Sequence, residues 1–299
     1  MKKAILATDL SKASDLLFDF LPEYKKMGIE HITVFHVPTI SFNYMEYSGY
    51  AMRVHIEARM INLTNKINDA GFTSNYVFKE GLPSQEIVDY AASQPGSLII
   101  IASKGHGFAK RNLIGSTTLR VIQQSVNPVL LIRTRCSVVG ESGEYVCSLE
   151  SGKLFDTGLL LTDFSRNSAA AFDFAEQHLV AHFKGLALMH VHDKTIMESH
   201  DRKSVERFNE EDNERLIKCT VSLRRKTKAP VRCILVEGTV VAEVMKEAKL
   251  DEVSLIVLGT HGKGHFTDMV LGSTAYAIIQ LVESNCLLVP MPLGEDVSV

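Results

Sequence analysis

The chain is written twice. Residues 3–20 read KAILATDLSKASDLLFDF and residues 157–174 read TGLLLTDFSRNSAAAFDF, an offset of 157 − 3 = 154. ITVFHV at 32–37 faces LALMHV at 186–191, and EGLPSQEIVDYA at 80–91 faces EGTVVAEVMKEA at 237–248. SLIIIASKGHGFAKRNLIGSTTLRVIQQ, which begins at 97, faces SLIVLGTHGKGHFTDMVLGSTAYAIIQ, which begins at 254, an offset of 254 − 97 = 157. Four ordered matches at a nearly constant offset are the mark of a duplicated domain. The length of 299 residues, about twice a typical domain, agrees.

Each copy is punctuated as alternating strands and helices. Short continuous runs rich in Ile, Leu and Val read as strands covered on both faces of a parallel sheet. Five such runs fit each copy: 4–8, 32–37, 73–79, 98–102 and 129–133, with counterparts at 158–162, 186–191, 231–236, 254–258 and 286–289. Segments of helical period, such as 86–91, lie between them, and Ser11 and Ser165 stand where an N-cap starts the first helix. The expected fold class is therefore α/β: two tandem Rossmann-like domains, each a five-stranded parallel sheet with helices on both faces. The boundaries expected are 1–135 and 154–299, with 136–153 as a linker because nothing in the other copy matches it.

Charge and cysteine usage narrow the partners. A net charge of −3 supplies no bulk basic field for nucleic acid or an anionic membrane. The five cysteines, Cys136, Cys147, Cys219, Cys233 and Cys286, are odd in number, widely spaced and without a C-x-x-C pair. They suggest neither a disulfide framework nor a zinc ribbon. The amino-terminal run before Asp9 is too short for a signal-peptide core, and no stretch approaches the length of a membrane helix. A cytoplasmic protein without membrane insertion is the expectation.

In an open parallel sheet ligands bind beyond the carboxyl ends of the strands. In the second copy the fourth strand runs into Gly259-Thr260-His261-Gly262, then nine residues, then Gly272-Ser273-Thr274 opening a helix. Glycines let backbone N–H groups approach an anion, and a helix N-terminus presents free donors and partial positive charge. The same glycines are equally the makings of a tight strand-to-helix turn. Neither a Walker P-loop nor G-x-G-x-x-G after the first strand is present.

With an Asp after the first strand and His-Val ending the second, G-x2-G-x9-G-[ST] resembles the universal stress protein (UspA) family. The resemblance covers nearly the whole chain twice and implies a tandem member with an adenine nucleotide alpha hydrolase-like fold. Family members with this motif bind ATP. Carried over, Asp163 and Val191 would hold the adenine end, with Thr162 also among the cofactor-binding residues. Leu258, Gly259 and Gly262 would line the ribose and first phosphates. Gly272, Ser273 and Thr274 would take the outer phosphates, and Mg²⁺ would ride on the phosphates. The first copy keeps Asp9, Val37, Gly105, Gly115, Ser116 and Thr117 but has Ala102 at the first glycine, putting a methyl where backbone is expected to meet ligand. Binding is thus expected mainly in the second copy.

The resemblance also implies that the two copies form an internal pseudo-dimer through Val129–Ile132 and Cys286–Val289, with a homodimer of chains allowed. No catalytic set and no metal-ligand set is assigned. His178 and His182 share an i, i+4 spacing but lack a third ligand, and His190 recurs as His36, which favours a structural role. His261 and His265 flank the glycine loop, and Lys104 could reach a phosphate in the first copy. The charged stretch 198–228 reads as a solvated amphipathic helix. Stress response through conformation or partners, with little or no turnover, is the leading expectation. A scaffold holding another ligand and a weak ATPase are the alternatives.

Overall fold

A computed structural model describes residues 1–38, 46–104, 114–139, 144–198, 201–262 and 271–291. The chain divides into two compact units, Met1–Gly152 and Lys153–Val299. Gly105 and His265, named above, lie outside the described residues.

The first unit runs β1 (Lys3–Ala7), α1 (Lys12–Asp15), a 3-10 segment (Leu16–Phe20), α2 (Leu21–Lys26), β2 (His31–His36) and α3 (Glu46–Asp69). It continues with β3 (Thr73–Phe78), α4 (Pro83–Ala92), β4 (Ser97–Ala102), α5 (Ser116–Gln124), β5 (Val129–Ile132), β6 (Thr134–Val139) and β7 (Glu144–Leu149). Strands β1 to β5 pair in parallel in the order β3-β2-β1-β4-β5. Central β4 is buried at every residue, so both of its faces are covered, whereas outer β3 is largely exposed or half-buried. That difference is why β4 reads as an unbroken apolar run and β3 does not.

The second unit repeats the plan: β8 (Thr157–Leu161), α6 (Arg166–His178), a 3-10 segment (Val180–His182), β9 (Gly185–Asp193), α7 (Lys194–Glu198) and α8 (Arg202–Lys226). Then come β10 (Val231–Gly238), α9 (Val240–Leu250), β11 (Leu255–Gly259), α10 (Ser273–Leu281) and β12 (Asn285–Val289). The order is β10-β9-β8-β11-β12, all parallel. The sequence of connections reverses between β8 and β11, as it does between β1 and β4. This is the switch point where a doubly wound sheet opens a crevice.

Within each unit the sheet is fastened by the same kind of buried tie. Asn127 Nδ2 donates to Ser97 O (3.3 Å) and Ser97 Oγ (3.1 Å), joining the start of β4 to the approach to β5. Asn285 Nδ2 donates to Ser254 O (3.1 Å), while the Ser254 hydroxyl donates to Leu154 O and Thr157 O (2.9 Å each). Both asparagines are almost fully enclosed.

The described residues of the stretch read as a linker include paired strands. Strands β6 and β7 form an antiparallel hairpin that puts Cys136 opposite Cys147, and the two are joined in a disulfide. The cysteine spacing argument failed because an antiparallel pair brings distant positions face to face regardless of C-x-x-C periodicity. The hairpin packs on α1, and Arg135 Nε meets Glu150 Oε1 at 2.6 Å. Cys219, Cys233 and Cys286 stand outside any disulfide. Alkylation under denaturing, non-reducing conditions should therefore add three adducts to the chain, and five after reduction. Five adducts without reductant would show the bridge to be absent.

Candidate functional site

The segment after β8 is built by its own side chains. Phe164 adopts a left-handed backbone at φ 59°, which costs a bulky residue about 1–2 kcal/mol. Two side chains hold it there. The Phe164 N–H donates to Thr162 Oγ1 (3.1 Å) and the Ser165 N–H donates to Asp163 Oδ1 (3.0 Å). Ser165 then caps α6 by accepting from the Ser168 N–H (3.2 Å). His190 Nδ1 lies 2.7 Å from Thr162 O, pinning the end of β9 to the same turn. Thr162 and Asp163, just after β8, and Val191, on the neighbouring β9, are all half-buried.

From the other side of the switch point comes the end of β11. Leu258 and Gly259 are buried, and Gly262 sits against Asp163: a methyl on Gly262 would lie 2.9 Å from Asp163 Oδ2. The chain returns when the Gly272 N–H donates to Thr260 O (2.8 Å), closing the excursion between Gly262 and α10. Gly272 caps α10, whose first turn presents the N–H groups of Ser273 and Thr274, both exposed. Such a helix start is an anion site by its orphan donors and its dipole. His261 Nδ1 is paired with Thr260 Oγ1 (2.9 Å).

Gly259 also has a packing reason to be glycine. A methyl there would meet Asn167 C and O at 3.0 Å, so the glycine lets the start of α6 lie on β11. Ala102, its counterpart, therefore need not block a ligand directly. In the first unit the helix after β1 is interrupted, α1 giving way to a 3-10 segment and then α2, where α6 is continuous.

Asn167 carries no motif, so sequence reasoning passed over it. Its Oδ1 is buried without a hydrogen-bond partner. A buried acceptor left unpaired costs roughly 1–3 kcal/mol, and this one lies beside Gly259.

The first unit repeats the turn almost atom for atom. Leu10 has φ 60°, the Leu10 N–H donates to Thr8 Oγ1 (2.9 Å), the Ser11 N–H to Asp9 Oδ1 (3.1 Å), and His36 Nδ1 lies 2.8 Å from Thr8 O. Val37 is buried, and Gly115 opens α5 above Ser116 and Thr117. What differs is the neighbourhood. Ser103 Oγ accepts from the Thr134 N–H (3.1 Å), which ties the cradle to the hairpin. Burial and then the Arg133 guanidinium push the Lys104 ammonium below its ordinary pKa.

His178 and His182 do not share a helix, since α6 ends at His178 and His182 lies in the following 3-10 segment. Each packs against an aromatic ring, Phe174 and Phe155 respectively.

Residues 1–133 and 155–290 each match the model of the universal stress protein family. The chain belongs to that family. Universal stress protein MJ0577 of Methanocaldococcus jannaschii is 24% identical over 157 residues, 46% of this chain and 97% of that protein. A single relative thus spans about one unit. Universal stress protein YxiE of Bacillus subtilis is 32% identical over 72 residues, 24% of this chain and 49% of that protein. A universal stress protein from Archaeoglobus fulgidus has a similar fold across 99% of this chain and 97% of its own, with a TM-score of 0.67 and 24% identity. Among the described residues no helix is long and apolar enough to cross a membrane.

Proposed function

We propose that this universal stress protein binds one ATP per chain, in the second unit, and acts in the cytoplasm through conformation or partners. The observation that carries the reading is the meeting of Gly262 with Asp163 across the switch point, beside the open start of α10. Asp163 and Val191 would receive the adenine end, and Asn167 Oδ1 offers an unpaired acceptor to a ribose hydroxyl or the exocyclic amine. Leu258, Gly259 and Gly262 would flank the ribose and inner phosphates; Gly272, Ser273 and Thr274 would hold the outer ones. Mg²⁺ would enter on the phosphates, whose charge it offsets. The first unit is read as a scaffold, its cradle fastened to the hairpin through Ser103.

Native mass spectrometry of freshly purified chain, followed by titration with ATP and Mg²⁺, tests this. The expected result is one adenine nucleotide per chain and a thermal shift. No co-purified nucleotide together with no shift would sink the proposal. These groups position phosphates without an assigned general base, so ADP production should stay near background. Hydrolysis well above background, lost in Asp163→Ala, would favour an ATPase instead.

A further inference from the structure

We propose that the second unit carries a divalent transition-metal site, best suited to zinc, formed by His190, His192 and Asp212. His190 and His192 alternate with Val191 along β9 and so share one face of the sheet. Helix α8 packs on that strand and delivers Asp212. Asp212 Oδ2 lies 3.0 Å from His192 Nε2 and 3.4 Å from His190 Nε2, and all three ligand atoms fall within 4.8 Å of one another. Ligands at the zinc distances of 2.0–2.1 Å in a tetrahedron are separated by roughly 3.3 Å. The two recorded separations bracket that edge.

The tether on the far nitrogen of His190 is that of a ligand. A backbone carbonyl only accepts, so the bond to Thr162 O puts a proton on His190 Nδ1 and makes Nε2 the nitrogen turned toward Asp212. Metal-bound histidines are oriented in this way, by a carbonyl on the far nitrogen. His192 Nε2 and Asp212 Oδ2 form a hydrogen bond in which a metal would take the place of the shared proton, in a nearly dry place: His190 and His192 are 5% and 6% exposed, and the Asp212 side chain 13%. Arg215 reaches only the other carboxylate oxygen, with Nη1 3.3 Å from Oδ1, while its guanidinium lies over the Phe164 ring. That leaves Oδ2 turned to the imidazoles. Two imidazoles and one carboxylate form a borderline-soft set that suits zinc over magnesium or calcium. Water would complete four-coordination.

The first unit shows what is inherited and what is added. His36 makes the same bond to Thr8 O that His190 makes to Thr162 O, but the position two residues on is Pro38. The tether is common to both copies; the second imidazole and the carboxylate occur only in the second.

The test uses the full chain, stripped with a chelator, exchanged into nucleotide-free buffer and titrated with Co²⁺ as a spectroscopic probe and Zn²⁺ in competition with a chromophoric chelator. One Co²⁺ per chain with the strong visible bands of a four-coordinate site is expected, unaffected by Cys219→Ser or Cys233→Ser. His192→Gln and Asp212→Asn should each weaken Zn²⁺ by on the order of a hundredfold. Arg215→Gln, a change at an exposed side chain, should tighten it several-fold by removing a competing cation. A chain that takes up no Co²⁺, or whose affinity is unmoved by His192→Gln, overturns the site and leaves a histidine–aspartate hydrogen bond. Should the His192 variant fail to fold, the Arg215 variant decides: unchanged or weaker affinity there refutes the proposal.

Discussion

Gly272→Val is expected to weaken ATP binding by on the order of a hundredfold or more, while Gly115→Val leaves the isotherm unchanged. A methyl on Gly272 already comes within 3.3 Å of Thr260 O and 3.4 Å of His261 Cα. Valine's two branches therefore force apart the Gly272–Thr260 closure that sets the start of α10. Hydrogen bonds to a charged group contribute about 1.5–3 kcal/mol each, so losing two is worth roughly a hundredfold or more. A methyl on Gly115 finds Ser103 O at an ordinary 3.6 Å, so the first unit should absorb the change. Calorimetric titration of both variants, with melting curves to verify folding, gives the comparison. The opposite ranking would mean that the ligand sits in the first unit. Gly259→Ala is the poorer probe, because its methyl strikes the α6 backbone and lowers stability whether or not a ligand binds.

Asn285→Ala should destabilise the second unit by about 3 kcal/mol, the sum of an orphaned buried carbonyl and a small cavity. Asn127→Ala should do the same to the first unit, where Ser97 loses both of its partners on Asn127 Nδ2. At roughly 2–4 °C per kcal/mol for domains of this size, each variant should lower one melting transition by close to 10 °C and leave the other in place. Scanning calorimetry of the pair reads both effects in one chain. Shifts under about 2 °C in both variants would show that these ties are dispensable.

How much of this could be read in advance depended on whether a feature is local. The β4 and β11 runs, the Ser11 and Ser165 caps and the Thr-Asp turns are settled within a few residues, and they stand where the pattern put them. The glycine spacing likewise marked the closure at Gly272. What escaped were pairings between segments. Nothing in the spacing of Cys136 and Cys147 says that the intervening chain folds back on itself. Nor does the helical period of α8 fix its rotation about its axis, so Asp212 looked like one more solvated carboxylate. The packing of Gly259 on the Asn167 backbone was hidden because that partner comes from a different element. Asn167 itself bears no motif, and only its unpaired oxygen marks it.

The cystine in the hairpin also has a mechanical meaning. Every covalent path from β5 to β8 crosses residues 136–147, and the bridge short-circuits the 11-residue separation to a Cα–Cα span of 4.1 Å. An extended stretch of that many residues covers about 36 Å or more. The oxidised chain therefore keeps roughly 33 Å of extendable chain closed within the hairpin of the first unit. Reduction followed by fraying of β6 from β7 releases it. A pull on the two ends of the molecule would register that release as a single step of fixed length, present with reductant and missing without it.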